Sequence, residues 1–421
     1  METEIKKISE FIDKSVTPFH AVKNSLKEFK NAGFKILNPK EKWDLKRGEK
    51  YAINFDSAII AFVTGEKNEF RIAASHTDSP SIVVKPNPII REKNYIKLNS
   101  EIYGGSILNT WLDRPLSLAG KVVTDKGAGE VEETLVDFDR PIAVIPNLAI
   151  HQNREINKGL ELNKQKDMLP VISLSDGKFQ DLNMETILHN EFGFETENIL
   201  SYELFFYPYQ KCTVVGLNNE FISGSRFDNL AMLYACTMGM TCASHKAISV
   251  AVGFNNEEVG SMSYTGADSN VLLGVLKRIA HALEMDTEDF EVALNNSFMV
   301  SCDMAHAVHP NIPEKTDITN IPLLNKGLAI KINSSKKYTS DAYSVGVFTS
   351  ICKNKKIPYQ FFVNRSDLPG GSTIGPISAS HISVPSIDIG TPMLAMHSST
   401  ELMGVKDTTY VKDAIKAFYE Y

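Results

Sequence analysis

Ala247-Ile-Ser-Val-Ala-Val-Gly-Phe-Asn-Asn-Glu-Glu-Val-Gly260 decides how this chain is read. The β-branched apolar run from Ile248 to Phe254 has the length and composition of a buried strand. It ends in two asparagines and two adjacent acids, Glu257 and Glu258. Neighbouring residues of extended chain point in different directions, so the two carboxylates suit different tasks. One can bind a metal ion while the other faces a substrate as a base. A second apolar run, Phe70 to Ala74, is capped by Ser75-His-Thr-Asp-Ser-Pro80. Together the two strand ends predict hydrolysis by a metal-activated water.

Outward from these strands the chain reads in three parts. Near the N-terminus, Thr17 suits an N-cap, Pro18 a first helical position and Gly33 a helix stop. Ala58–Val63 reads as a strand ahead of Phe70–Ala74. From about Pro86 the pattern becomes β-rich, with short strands expected at Tyr95–Leu98, Ser117–Val123, Glu132–Phe138, Ile142–Ile145, Leu204–Tyr207 and Cys212–Leu217, and no helix. Strand and helix then alternate again. Helices are expected at Asn229–Thr241, Ser269–Leu283, Ser340–Asn354, Gly375–His381 and Val411–Tyr419. Strands are expected at Ala247–Phe254, Asn296–Cys302, Gln360–Val363 and Val384–Ile389. The expectation is one α/β domain, residues 1–90 plus 218–421, carrying a β-rich insertion at 91–217.

Bulk properties narrow the function classes. The 421 residues leave room for two domains, and 43% hydrophobic with 23% charged residues is ordinary globular composition. A net charge of -7, with no Lys/Arg block, weighs against a nucleic-acid partner. No stretch approaches the roughly 18 apolar residues of a membrane span. The opening Met-Glu-Thr-Glu-Ile-Lys-Lys lacks the apolar core of a signal peptide. Five cysteines, with no C-x-x-C pair, read as reduced thiols of a cytoplasmic protein. Cys302 beside Asp303 offers a ligand or a nucleophile, but a small buried strand residue is the expected reading.

Five residues carry the metal hypothesis: His76, Asp228, Glu258, Asp303 and His397. Each falls at or just past the end of an expected strand, the edge where open α/β sheets bind ligands. Two imidazoles and three carboxylates suit two divalent ions, Zn²⁺ first, with Mn²⁺ or Co²⁺ as alternatives. Paired ions need a shared ligand, for which Asp228 is the natural choice. Asp78 can fix the His76 tautomer, and Glu257 is left to move the water's proton. His309 suits either an oxyanion contact or a plain surface loop. Lys331 suits either a pocket for an acidic side chain or an exposed strand position. Gly371, in Pro369-Gly-Gly-Ser, suits close substrate approach or a structural turn. His151 lies in the β-rich part, where spacing cannot place it.

Several motifs resemble the M18 metallopeptidases, the aspartyl aminopeptidases and their bacterial and vacuolar relatives. They are Ser75-His-Thr-Asp-Ser-Pro80, Tyr103-Gly-Gly-Ser-Ile-Leu-Asn-Thr-Trp-Leu-Asp-Arg114, Ile145-Pro-Asn-Leu-Ala-Ile-His151, Gly224-Ser-Arg-Phe-Asp-Asn229, Asn256-Glu-Glu-Val-Gly-Ser261, Asp303-Met-Ala-His-Ala-Val-His-Pro-Asn311 and Ala395-Met-His-Ser398. The resemblance runs from Phe11 to the C-terminus. It implies a co-catalytic metal pair on a mixed-sheet α/β domain, an inserted dimerisation domain and a tetrahedral dodecamer of six dimers. It implies that His76 and Asp303 bind one ion, Glu258 and His397 the other, and that Asp228 bridges. Glu257 would be the base and Asp78 the orienter of His76. His309 would contact the transition state and Lys331 would select acidic residues. His151 would serve a neighbouring subunit's site. Peptides with N-terminal Asp or Glu are the expected substrates, and neutral N-terminal residues the alternative. A deacylase or carboxypeptidase on the same scaffold would want an arginine, so Arg226 and Arg365 are of interest. A silent binding shell would require a lost ligand or base, and none is lost.

Overall fold

The computed structural model describes residues 2–175 and 182–421. They form two compact units of mixed α/β character. One contains the chain up to Asp78, Cys212–Met396 and Glu401–Tyr421. The other contains Ser79–Lys211 and His397–Thr400.

A nine-stranded mixed sheet organises the first unit. From edge to edge its strands are Lys35–Leu37, Lys50–Phe55, Ala58–Val63, Ile248–Phe254, Phe70–His76, Phe298–Cys302, Ser386–Gly390, Leu328–Ile332 and Tyr359–Val363. Ile248–Phe254, Phe70–His76, Phe298–Cys302 and Ser386–Gly390 run parallel to one another. Every residue of these four is buried, as expected where helices cover both faces of parallel strands. Their C-terminal ends therefore open on one edge, and they deliver His76, the 255–258 turn and Asp303 there.

Side-chain alternation divides the core. Ile72, Ala74, Val250 and Val252 pack with the helices Val271–Ala282 and Thr287–Asn295. Ala73, Ala251 and Val300 pack on the other face with Phe227–Cys242 and Asp407–Glu420. Small residues on that second face let Phe227–Cys242 lie close to the sheet. A Cβ at Gly253 would stand 2.8 Å from the Leu233 Cδ1 atom. Close approach is what carries Asp228, in the helix's first turn, toward the strand ends.

Near the N-terminus, Thr17 caps Pro18–Asn31 with its hydroxyl accepting from the His20 amide, and Gly33 follows with φ +85°. Among the strands not foreseen are Lys50–Phe55 and Ser81–Glu92. The second is broken by prolines and by an irregular register between Val84 and Ile89. The helix Thr287–Asn295 was also not foreseen; it is short and starts in a capping box of Asp286 and Asp289.

The second unit has a six-stranded antiparallel sheet. Its order is Glu130–Asp137, Leu116–Gly127, Ile199–Pro208, Ser81–Glu92, Tyr95–Tyr103 and Val171–Leu174. Leu98, Leu118, Val122, Leu204 and Phe206 are among its core residues. Ile142–Ile145 is not a strand: it contributes only the single bridges Leu116–Ala143 and Val144–Val171. A helix does occur here, Met184–Phe192, held by an Asn183–Thr186 capping box and ended by Gly193 in the left-handed region. The positions 91 and 217 used to bound the insertion fall inside Ser81–Glu92 and two residues past Thr213–Val215.

Candidate functional site

The turn after Phe254 reverses the chain through Asn256, at φ +61°, into the short helical turn Glu257–Val259. The apolar strand cannot continue into these residues, so Glu257 and Glu258 are presented at the sheet edge. Asp228 reaches the same place from Phe221–Gly224, a strand of a separate five-stranded sheet. It breaks helical geometry inside Phe227–Cys242, at φ −80° and ψ 104°.

His76, Asp228 and Glu258 each offer a ligand atom within 4.8 Å of the others. His76 Nε2 lies 3.7 Å from Asp228 Oδ1, 3.6 Å from Asp303 Oδ1 and 4.0 Å from Glu257 Oε2. These separations are too long for hydrogen bonds and suit groups that share a cation. On the other side of the ring, His76 Nδ1 is 3.1 Å from the Asp78 carbonyl and 3.3 Å from its Oδ1. Nδ1–H donating there leaves Nε2 with its lone pair toward the carboxylates. Asp78, fully buried, does more than hold this ring. Its Oδ1 accepts from the Glu257 amide at 3.2 Å and its Oδ2 from the Glu258 amide at 3.1 Å.

The electrostatics of the cluster follow from its burial and its crowded carboxylates. Burial pushes the Glu257 carboxyl up to about 8, with His76 opposing and Asp303, Asp78 and Asp228 adding to the rise. Burial and then Asp228 hold Glu258 well above its ordinary range. Burial alone would lower the His76 imidazole, but Asp303 and Asp78 outweigh it and raise it. Burial alone would raise Asp303, but Lys331 and His76 hold it below the usual range. Crowded, desolvated carboxylates around one imidazole call for positive charge, and N/O donors of this kind fit a borderline divalent cation.

His397 folds with the second unit. It sits at φ +67°, with Nδ1 donating to the Gly105 carbonyl at 3.2 Å. A Cβ at Gly105 would stand 3.1 Å from that nitrogen, so glycine permits the contact. That bond places a ring proton on Nδ1. His309 is exposed, and its Nδ1 accepts from the Asn311 amide at 3.2 Å, which places the proton on Nε2.

Lys331 is not an exposed strand lysine. It is 3% exposed, with Nζ 3.5 Å from Asp303 Oδ2 and 5.5 Å from the Tyr338 ring centre. His151 lies exposed in a turn of the second unit. Gly371 is exposed, and an added Cβ there would meet nothing within 4 Å. The structure therefore shows no close approach that requires glycine at 371. Cys302 is a buried strand residue donating weakly to the Val300 carbonyl, and burial raises its thiol well above the ordinary value. Arg365 is engaged by Asp367, and Arg226 donates to the Ile12 carbonyl.

Sequence reading missed Glu401, a 2% exposed carboxylate whose Oε2 accepts from the Asp228 amide at 3.2 Å. In Glu401-Leu-Met-Gly404 it stands two residues from buried Met403, so period two would have placed it on the inner face.

Comparison with known proteins identifies the family. Residues 11–419 match the family described as aminopeptidase I zinc metalloprotease (M18). A probable M18 family aminopeptidase 2 of Clostridium novyi (strain NT) is 49% identical over 433 residues, covering all of both chains. A relative of the same description from Clostridium acetobutylicum is 47% identical over 423 residues and 98% of each chain. Among solved structures, a chain from the cryo-EM structure of the Ape4 and Nbr1 complex aligns at TM-score 0.96 and 33% identity. It covers 100% of this chain and 86% of that one. The M18 aminopeptidase of Thermotoga maritima shares the fold at TM-score 0.88 and 23% identity, covering 100% of this chain and 96% of that one. Among the described residues, His76, Asp228 and Glu258 are grouped as a divalent ion would require, and the chain belongs to the M18 family of metallo-aminopeptidases.

Proposed function

We propose that the chain removes N-terminal Asp or Glu from peptides, using two divalent ions, zinc first among them. The observation that carries this reading is the cluster of His76, Asp228 and Glu258 at the sheet edge, with Glu257 beside it. His76 and Asp303 would hold one ion and Glu258 and His397 the other, with Asp228 as the ligand they would share. Bound there, divalent ions would supply Lewis acidity for water and for the scissile carbonyl. Glu257 takes the proton from the attacking water and passes it to the leaving amine. Its place suits that task, because its Oε2 stands 4.0 Å from His76 Nε2, beside the cluster without belonging to the group of ligand atoms. Asp78 keeps His76 in its ligating tautomer. The Nε2–H of His309 donates to the oxygen that becomes negative in the transition state. Lys331 attracts the substrate's acidic side chain, Gly371 lines the approach, and His151 serves a neighbour's site.

One observation favours preference for neutral residues instead. The Lys331 charge is already matched by Asp303 at 3.5 Å, so an acidic side chain would have to share it. A panel of aminoacyl-p-nitroanilides with the zinc, manganese and cobalt forms separates the two. Higher kcat/KM on Leu than on Asp in all three forms removes the acidic preference.

Residues 91–217 are proposed to mediate dimer contacts within a tetrahedral dodecamer. Exposed Leu148, Ile150, Leu174 and Leu200 on that unit are apolar surface to cover. One structural relative is described as the S. cerevisiae mApe1 dodecamer. A monomer by light scattering would overturn this assembly. A cytoplasmic location fits the five free thiols; among the described residues, no helix is long and apolar enough to cross a membrane.

A further inference from the structure

We infer that Glu401 is a positioning residue for Asp228. Its carboxylate holds the Asp228 amide and so sets where the Asp228 side chain points relative to His76 and Glu258. The inference rests on the reading of Asp228 as a ligand.

Asp228 sits where backbone regularity fails. Arg226, two residues earlier, is at φ +63°, and Asp228 itself departs from helical geometry. Its N–H falls in the first turn of Phe227–Cys242, where amides have no partner within the helix. Asp228 is 3% exposed, so water cannot readily serve this amide, and a buried N–H requires an acceptor. Glu401 Oε2 is that acceptor at 3.2 Å.

The acceptor is itself held. Glu401 begins the strand Glu401–Gly404, which pairs antiparallel with Phe221–Gly224. In that ladder Glu401 stands opposite Gly224, four residues before Asp228. A Cβ at Gly224 would stand 2.6 Å from Cys212 Sγ and 3.0 Å from the Phe227 ring, so the backbone there is tightly enclosed. The side chain spans from a fixed ladder position to the first irregular turn of the helix. It acts as a strut between the sheet and the ligand.

The choice of acid is informative. A neutral acceptor would satisfy one amide without the cost of burying a charge. What the geometry shows is reach: from its ladder position opposite Gly224 the side chain just brings Oε2 to 3.2 Å from the Asp228 amide, so reach is taken to dominate and charge is tested separately.

The test uses the full-length enzyme loaded with cobalt(II). Glu401→Asp keeps the charge and withdraws the oxygen by one methylene. Glu401→Gln keeps the reach and removes the charge. Expected for Glu401→Asp is metal binding weaker by about 10–100-fold in chelator competition. A changed cobalt d–d spectrum and a lower kcat at nearly constant KM should accompany it. Glu401→Gln should regain most of the spectrum and of kcat. Far-UV circular dichroism and Tm show that each variant is folded. Wild-type metal affinity and spectrum in Glu401→Asp overturn the inference. So does Glu401→Gln as impaired as Glu401→Asp, which would make the contribution one of charge. Asp228→Ala is the control for the underlying reading. Full metal retention there overturns Asp228 as a ligand; metal loss there with wild-type behaviour in Glu401→Asp overturns the strut alone.

Discussion

Replacing Asp78 by asparagine should loosen the imidazole and the base together. The Asp78 carboxylate is fully buried and takes three donors: His76 Nδ1–H at 3.3 Å, the Glu257 amide at 3.2 Å and the Glu258 amide at 3.1 Å. One end fixes the tautomer of His76, and the other fixes the turn that presents both glutamates. A stranded buried donor costs about 1–3 kcal/mol. Removing the whole carboxylate would strand the two amides, while His76 Nδ1–H keeps the Asp78 carbonyl at 3.1 Å, so Asp78→Ala should cost about 2–6 kcal/mol, a large share of a domain's stability. Asparagine is the informative change. Its single carbonyl oxygen still accepts from one donor or two, while its NH₂ is turned against a remaining N–H. One donor stranded and one repulsive contact put the cost at about 2–4 kcal/mol. The fold should survive, with Tm lowered. Metal affinity should fall by about 10–100-fold, the usual effect of removing a group that orients a ligand. The decrease in kcat should exceed what metal loss explains, because the base has also moved. The assay is chelator competition on the dialysed enzyme, followed by kcat at saturating metal. Wild-type Tm, metal dissociation constant and kcat in Asp78→Asn would refute the reasoning.

Three further outcomes are expected. Glu257→Gln should keep its metal but lose about 10²–10⁴-fold in kcat, because an amide cannot accept the water's proton; near-wild-type turnover with full metal content removes Glu257 as the base. Lys331→Leu should lower the Asp/Leu ratio of kcat/KM by about 10–10³-fold. Because Lys331 also neutralises Asp303, a loss common to both substrates is expected on top, and only the Asp/Leu ratio decides; an unchanged ratio makes Lys331 structural. His245 gives a pH prediction away from the site. Burial pushes its imidazole down to about 4, and it packs against Tyr419. Between pH 6.5 and 4 the unfolded chain holds a proton there that the folded chain does not, so stability falls as pH drops through that window. The contribution is at most about 3 kcal/mol. His245→Phe should flatten the pH dependence of the urea midpoint between pH 7 and 5, and equal slopes in the two proteins would discount the residue.

The sequence by itself determined the parts whose signals are local. Ile248–Phe254 and Phe70–His76 are legible because strands buried on both faces are continuous apolar runs. Thr17-Pro18 marks a helix start because capping is decided within four residues. His76, Asp228, Glu258 and Glu257 were recognisable as residue types at strand ends and in long family-like motifs. Only the tertiary structure decided what those residues touch. Lys331 reads as one step in an alternating run, and its burial against Asp303 depends on Leu328–Ile332 pairing with Ser386–Gly390. Asp78 binds two amides about 180 positions away, and Glu401 binds one 173 positions away. Such contacts are set by strand order and register, which no local window contains. The same limit explains Ile142–Ile145: its residues favour a strand, but strand formation needs a partner along its length, and the fold supplies only two single bridges.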